Sequence, residues 1–129
     1  MGFRLKTSKK TKEIFEYIGA SSNLKPFALC KIAISLSLRD IDSIENFEDT
    51  DIHGLELQRA TVTGEYDTIY KALMEIKLQR HLSDDEYYPI YTKKHIDKGA
   101  QLLSKLYEYS GGNLEKFLTH ITIKGGMSL

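Results

Sequence analysis

Cysteine occurs once in the 129 residues, at Cys30. That scarcity excludes an intrachain disulfide framework and favours a reducing compartment. Long apolar runs are missing too, since none approaches the roughly 20 residues that a membrane-spanning helix needs. The opening MGFRLKTSKKTK is basic but has no apolar segment behind it, so it does not read as a secretory signal. These absences predict a cytoplasmic protein. The four histidines (His53, His81, His95 and His120) are scattered, and no Cys/His spacing suits a metal. The glycines spell neither a P-loop nor a dinucleotide fingerprint. No metal and no cofactor is therefore expected. A chain of this length fits one domain and leaves little room for a catalytic domain beside a recognition domain.

Net charge is zero, but it is unevenly laid out. Residues 1–39 carry eight cations, Arg4, Lys6, Lys9, Lys10, Lys12, Lys25, Lys31 and Arg39, against only Glu13 and Glu16. Residues 40–69 carry nine acids against Arg59. A local field attracts partners where a zero total does not, so the basic amino-terminal third points to a polyanion. The acidic stretch either repels DNA or faces a basic partner.

Phe3-Arg-Leu-Lys-Thr7 alternates as a short strand, with Phe3 and Leu5 on one face and Arg4 and Lys6 on the other. Ser8 is a suitable N-cap for a helix to about Ile18, whose apolar line is Ile14, Tyr17 and Ile18, and Gly19 is a suitable stop. Pro26 opens a helix to Leu38 that is apolar on nearly every side. A helix of that kind must be buried all round, which predicts a homo-oligomer core. Strand, helix, turn and buried helix follow the order of a ribbon-helix-helix module, in which two copies pair their strands and present the polar face to DNA. The amides at the start of the second helix could cradle a phosphate.

Residues 40–56 read as an acidic loop. Gly64 and Glu65 open a helix to about His81, with Tyr66, Ile69, Tyr70, Leu73 and Ile76 or Lys77 at helical spacing. Tyr66 and Tyr70 read as core. A turn at 83–86 precedes Pro89. A further helix from about Tyr91 to Tyr109 carries Ile96, Ala100, Leu103 and Leu106 or Tyr107. A short helix over Leu114–His120 and a frayed end at 125–129 complete the reading.

Three stretches resemble the DndE family of DNA sulfur modification proteins: LKPFALCKIAISLSL at 24–38, RATVTGEYDTIYKAL at 59–73 with its Gly-Glu-Tyr-Asp core, and HIDKGAQLL at 95–103. The resemblance implies a small, mainly helical, oligomeric protein, with tetramers expected. It implies a place in the bacterial machinery that replaces a non-bridging phosphate oxygen of DNA by sulfur, beside a cysteine desulfurase, a reductase-like protein and an ATPase. It also implies duplex binding through surface lysines, nicked duplex being preferred, and it transfers no catalytic residue.

The fold expected is thus mainly α, one domain over 1–129: a ribbon-helix-helix-like part (1–39), the acidic loop (40–56), a helical part (57–120) and a tail (121–129). The expected function is non-catalytic binding of the DNA backbone through Arg4, Lys6, Lys9, Lys10, Lys12 and Lys25. Lysines without interleaved base-reading groups suit backbone contact. A ribbon-helix-helix transcription regulator is the alternative, but Arg4 and Lys6 alone are thin for base readout. A DNA-nicking enzyme using Glu65 and Asp67 with Lys71 is a weaker one, because residues two apart on a helix do not converge. Cys30, on an apolar helix, reads as an inert core thiol and not as a sulfur carrier. Lys31 snorkels, Gly99 permits close helix packing, and His95 is structural.

Overall fold

The computed structural model describes residues 3–111 and 116. Apart from Lys116, the short helix expected over 114–120 and the tail lie outside the described residues. The chain is mainly helical: β1 (Arg4–Lys6), α1 (Lys9–Ser22), α2 (Pro26–Arg39), β2 (Glu56–Gln58), α3 (Arg59–Val62), α4 (Asp67–Leu78), α5 (Asp84–Glu86) and α6 (Lys93–Tyr109).

β1 finds its partner within the chain. It pairs antiparallel with β2, setting Arg4 opposite Gln58, Leu5 opposite Leu57 and Lys6 opposite Glu56. Hydrogen bonds from Thr7 N to Leu55 O and from Arg59 N to Phe3 O extend the ladder at both ends. β1 thus has a partner inside its own chain that the sequence reading did not foresee, a return strand lying just after the acidic loop. Leu5 is buried as expected, but Phe3 is exposed, lying at the edge of so short a sheet.

Ser8 caps α1 by accepting from Thr11 N. The helix then runs through Gly19 to Ser22 and stops at Asn23, which takes the left-handed conformation (φ 63°) that Asn tolerates. Phe15 and Ile18 form its buried line, whereas Tyr17 lies outside, edge-on to Tyr107 at 5.9 Å. The turn before Pro89 is not a break. Ser83 and Glu86 form a reciprocal capping box, and the chain passes through a π-turn (Tyr87–Thr92) straight into α6. Proline lacks the N–H of a regular turn, and a widened turn accommodates it.

α2 is the central helix. Leu29, Cys30, Ala33 and Ile34 are fully buried, chiefly against α6, which contributes Ile96, Ala100, Leu103 and Tyr107. α1, α3 and α4 cover other parts of it. One chain therefore buries most of this helix, and its apolar character does not demand a second copy, correcting that step of the sequence argument. Phe27 alone among its large apolar residues is well exposed, with the Lys31 ammonium 5.7 Å from its ring centre.

The α2–α6 contact is backbone against backbone. A Cβ on Gly99 would stand 1.8 Å from the Ala33 carbonyl oxygen. Alanine would gain about 1 kcal/mol of helix propensity, but forcing two packed helices apart costs about 1–3 kcal/mol or more. Because the obstacle is backbone and cannot rotate away, the cost wins. Gly99→Ala is expected to lower unfolding free energy by about 2 kcal/mol, measured by urea titration; unchanged stability would remove the close approach as a constraint.

Candidate nucleic-acid interface

The expected DNA-contacting residues divide into a cluster and an outlier. Lys9 and Lys10 are exposed in the first turn of α1, Lys12 is half-exposed one turn on, and Arg4 and Lys6 are exposed on β1 just before. Lys25 is exposed at the N-cap of α2, beyond the far end of the 14-residue α1. At 1.5 Å per residue that separation is about 20 Å. α2 has no side-chain cap and no acid in its first turn. The start of α1 differs, for its amides are taken: Ser8 N donates to Asp97 Oδ1 at 3.1 Å and Lys9 N to Asp51 Oδ1 at 2.8 Å. What α1 offers outward is its lysine side chains.

Two acids border this cluster. Arg4 pairs with Glu56 at 3.2 Å, with both side chains well exposed (67% and 46%), and an exposed pair of this kind is worth little and yields readily to another anion. Asp51 accepts from the amides of both Lys9 and His53, and these bonds hold its carboxyl below the usual carboxylate range.

The rest of the acidic stretch faces the chain's own α6. Lys93 Nζ donates to Asp97 Oδ2 at 2.6 Å, to Thr50 Oγ1 at 2.6 Å and to the Asp51 carbonyl at 3.0 Å. Lys94 lies 3.7 Å from Asp49. Lys98 lies 2.9 Å from Asp40 and donates to the Asp42 carbonyl. Asp97, wholly buried, also accepts from Thr11 Oγ1 at 2.6 Å and Thr50 Oγ1 at 2.5 Å. The sequence reading missed this network. Its signal was the run Lys93-Lys94-x-x-Asp97-Lys98, with Lys93 and Asp97 at i,i+4.

The Gly-Glu-Tyr-Asp core is built around a second carboxylate. Asp67 accepts from Arg59 Nε at 3.0 Å and Nη2 at 2.6 Å, from Thr63 Oγ1 at 2.6 Å and from Tyr87 Oη at 2.9 Å. Burial pushes its pKa up, but the hydrogen bonds from Arg59, Thr63 and Tyr87 outweigh that and hold it below the usual range. The guanidinium also stacks 5.1 Å from the Tyr87 ring centre. Gly64, at φ 50°, makes the turn into this cluster. Glu65 is exposed and bonds to none of it, so the two acids do not converge. Lys71 instead reaches Asp84 at 3.4 Å. Among the described residues no three His, Cys, Asp or Glu side chains are grouped to hold a metal ion.

Cys30 is inaccessible, and burial, helped by the Asp97 charge, pushes its thiol up to about 12. His95 is buried beside Ser37, its Nδ1 2.8 Å from the hydroxyl. Burial, reinforced by Lys98 and Lys77, lowers its pKa to about 3. A histidine depressed from about 6.5 contributes stability that is complete above the unfolded value and lost as pH falls toward the folded one. At pH 5 the loss is about 2 kcal/mol. Urea titrations at pH 7 and pH 5 are expected to show that loss in the native chain and a flatter response in His95→Gln; equal slopes in the two would remove the assignment.

No helix among the described residues is long and apolar enough to cross a membrane. The family model described as DndE, DNA sulphur modification protein DndE, matches residues 4–110. No curated protein matches the chain.

Proposed function

Because the chain belongs to the DNA sulphur modification protein DndE family, we propose that it is the non-catalytic DNA-binding subunit of a DNA phosphorothioation system. As a homo-oligomer, it holds a duplex by its sugar–phosphate backbone, preferring a nicked one, for the enzymes that transfer sulfur. One observation carries this reading. The cations of β1 and early α1 stand in solvent, while Lys93, Lys94 and Lys98 in the first half of α6 are held by the acidic segment. Lys6, Lys9, Lys10 and Lys12 thus form the cluster to which a phosphate chain can dock, with Arg4 released from Glu56 on contact. Lys25 extends the track by the length of α1. Lysine tips, which act as point charges, favour backbone contact over base readout.

Three features support a holding role over catalysis. Asp67 is saturated by structural partners, Glu65 stands apart from it, and Cys30 keeps its proton inside the core.

Titration of intact, nicked and single-stranded DNA at two salt concentrations tests the proposal. An assembly engaging about six phosphates gives a slope of log K against log salt near −5, or about a thousandfold loss between 50 and 200 mM. A flat response, or no binding to any of the three, would refute it. Lys9→Glu combined with Lys10→Glu is expected to weaken binding at least about tenfold without altering the thermal melt, since both side chains are exposed. Unchanged mobility shifts for that variant would reassign the contact surface.

A further inference from the structure

Cations gather at the end of α2. Lys77 turns inward from α4, whose apolar line of Tyr66, Ile69, Leu73 and Ile76 stays exposed, and its Nζ donates to the Leu38 and Asp40 carbonyls. Lys98 of α6 pairs with Asp40 at 2.9 Å and donates to the Asp42 carbonyl. Arg39 and Lys105 stand beside them, exposed and in no ion pair with any described residue. The Asp40 carboxylate is thus bonded to Lys98, which leaves Arg39 and Lys105 uncompensated although the chain as a whole is neutral.

Between this end of α2 and the second half of α6 runs a groove of about 260 Å³, lined by Leu36, Arg39, Asp40, Leu102, Lys105 and Leu106. Its floor is apolar: Leu36 is buried, and Leu102 and Leu106 are partly buried against the core. Each helix contributes one of the unpaired cations, Arg39 from α2 and Lys105 from α6. A sugar–phosphate backbone offers anions to such cations but no side chain to enter a leucine floor. A small molecule is also ill matched, because sites for drug-sized ligands enclose roughly 300–1,000 Å³, and this groove is smaller and open to solvent. What fits is a larger partner that supplies apolar anchors and carboxylates together. We propose that the groove docks an acidic amphipathic segment of a partner protein, with apolar side chains on Leu36, Leu102 and Leu106 and carboxylates on Arg39 and Lys105. Apolar anchors seated in a groove carry most of the energy of such contacts, and charges at the rim set encounter rate and partner choice. The groove shares no residue with the cluster of Arg4, Lys6, Lys9, Lys10 and Lys12, so one copy can hold a duplex and a protein partner at once.

The inference goes beyond the DNA-binding reading and is tested on the full chain without DNA. The probe is a fluorescein-labelled amphipathic helical peptide with leucines along one face and glutamates at its margins, followed by anisotropy. The chain is expected to bind it at least about tenfold more tightly than the same peptide with lysine for glutamate, or with serine for leucine. Arg39→Glu with Lys105→Glu is expected to weaken binding of the acidic peptide at least about tenfold and to strengthen binding of the lysine version, an inversion that loss of fold cannot produce. Lys9→Glu with Lys10→Glu is expected to leave peptide binding unchanged, which separates the groove from the DNA surface. No binding, equal binding of the three peptides, or a groove variant that keeps the wild-type preference would overturn the proposal. Displacement of the peptide by a duplex would overturn it in favour of nucleic-acid contact. A lower sedimenting mass of the groove variant would overturn it in favour of a contact between copies.

Discussion

A single buried carboxylate organises the molecule. Asp97 stands on α6, yet its acceptor sites are filled from two other places as well as from its own helix: the amide of Ser8 and the hydroxyl of Thr11 at the start of α1, the hydroxyl of Thr50 in the acidic segment, and Lys93 one turn back on α6. A buried charge costs several kcal/mol unless paired and fully hydrogen-bonded, and removing one partner of such a pair costs about 3–5 kcal/mol. Asp97 meets that requirement only if α1, the acidic segment and α6 are in place together. The same bonds fix where α1 begins, and so where Lys9 and Lys10 project. The cationic cluster is therefore mounted on a tightly specified point of the fold, which is what the proposed grip on a rigid duplex needs.

The acidic segment is thereby understood as an internal counterion. Asp40 and Asp49 pair with Lys98 and Lys94, and backbone carbonyls of Asp42 and Asp51 accept from Lys98 and Lys93. With these cations neutralised at home, the excess positive charge of residues 1–39 forms a concentrated group of exposed cations. Asp51 and Glu56 temper the cluster at its margin. Attraction to phosphate is then short-ranged, resting on direct contact and not on a broad field, because exposed charges are screened beyond about 8 Å at physiological ionic strength.

Much of the helical framework was legible in the sequence. Ser8, Pro26 and the lines through α2 and α6 mark their elements by capping chemistry and 3.6-residue spacing, which are local properties. β2 was illegible, because Glu56-Leu57-Gln58 is strand only by pairing with β1 more than fifty positions away. The passage through Pro89 was misread as a break, since tertiary burial of Tyr87, Tyr88 and Tyr91 outweighs the lost turn hydrogen bond. Periodicity located the stripe of α4 but not the side it faces. Asp67, Lys71 and Lys77 look like a solvated face until their partners Arg59, Asp84 and the end of α2 are seen around them. The exposed cations were legible as a cluster, because adjacency in sequence became adjacency in space; Lys25 was not, since only the fold shows it a helix length away.

The cationic cluster sets an arithmetic of charge for the proposed binding. The cluster on one copy has five cations, Arg4, Lys6, Lys9, Lys10 and Lys12, and Arg4 is shared with Glu56. Without Lys25, which stands a helix length away, this cluster falls short of the roughly six phosphate contacts that would give a salt slope near −5. On the proposed homo-oligomeric reading, two copies exceed it without any new basic residue, and joining them converts the second encounter with the duplex into an intramolecular one of high effective concentration.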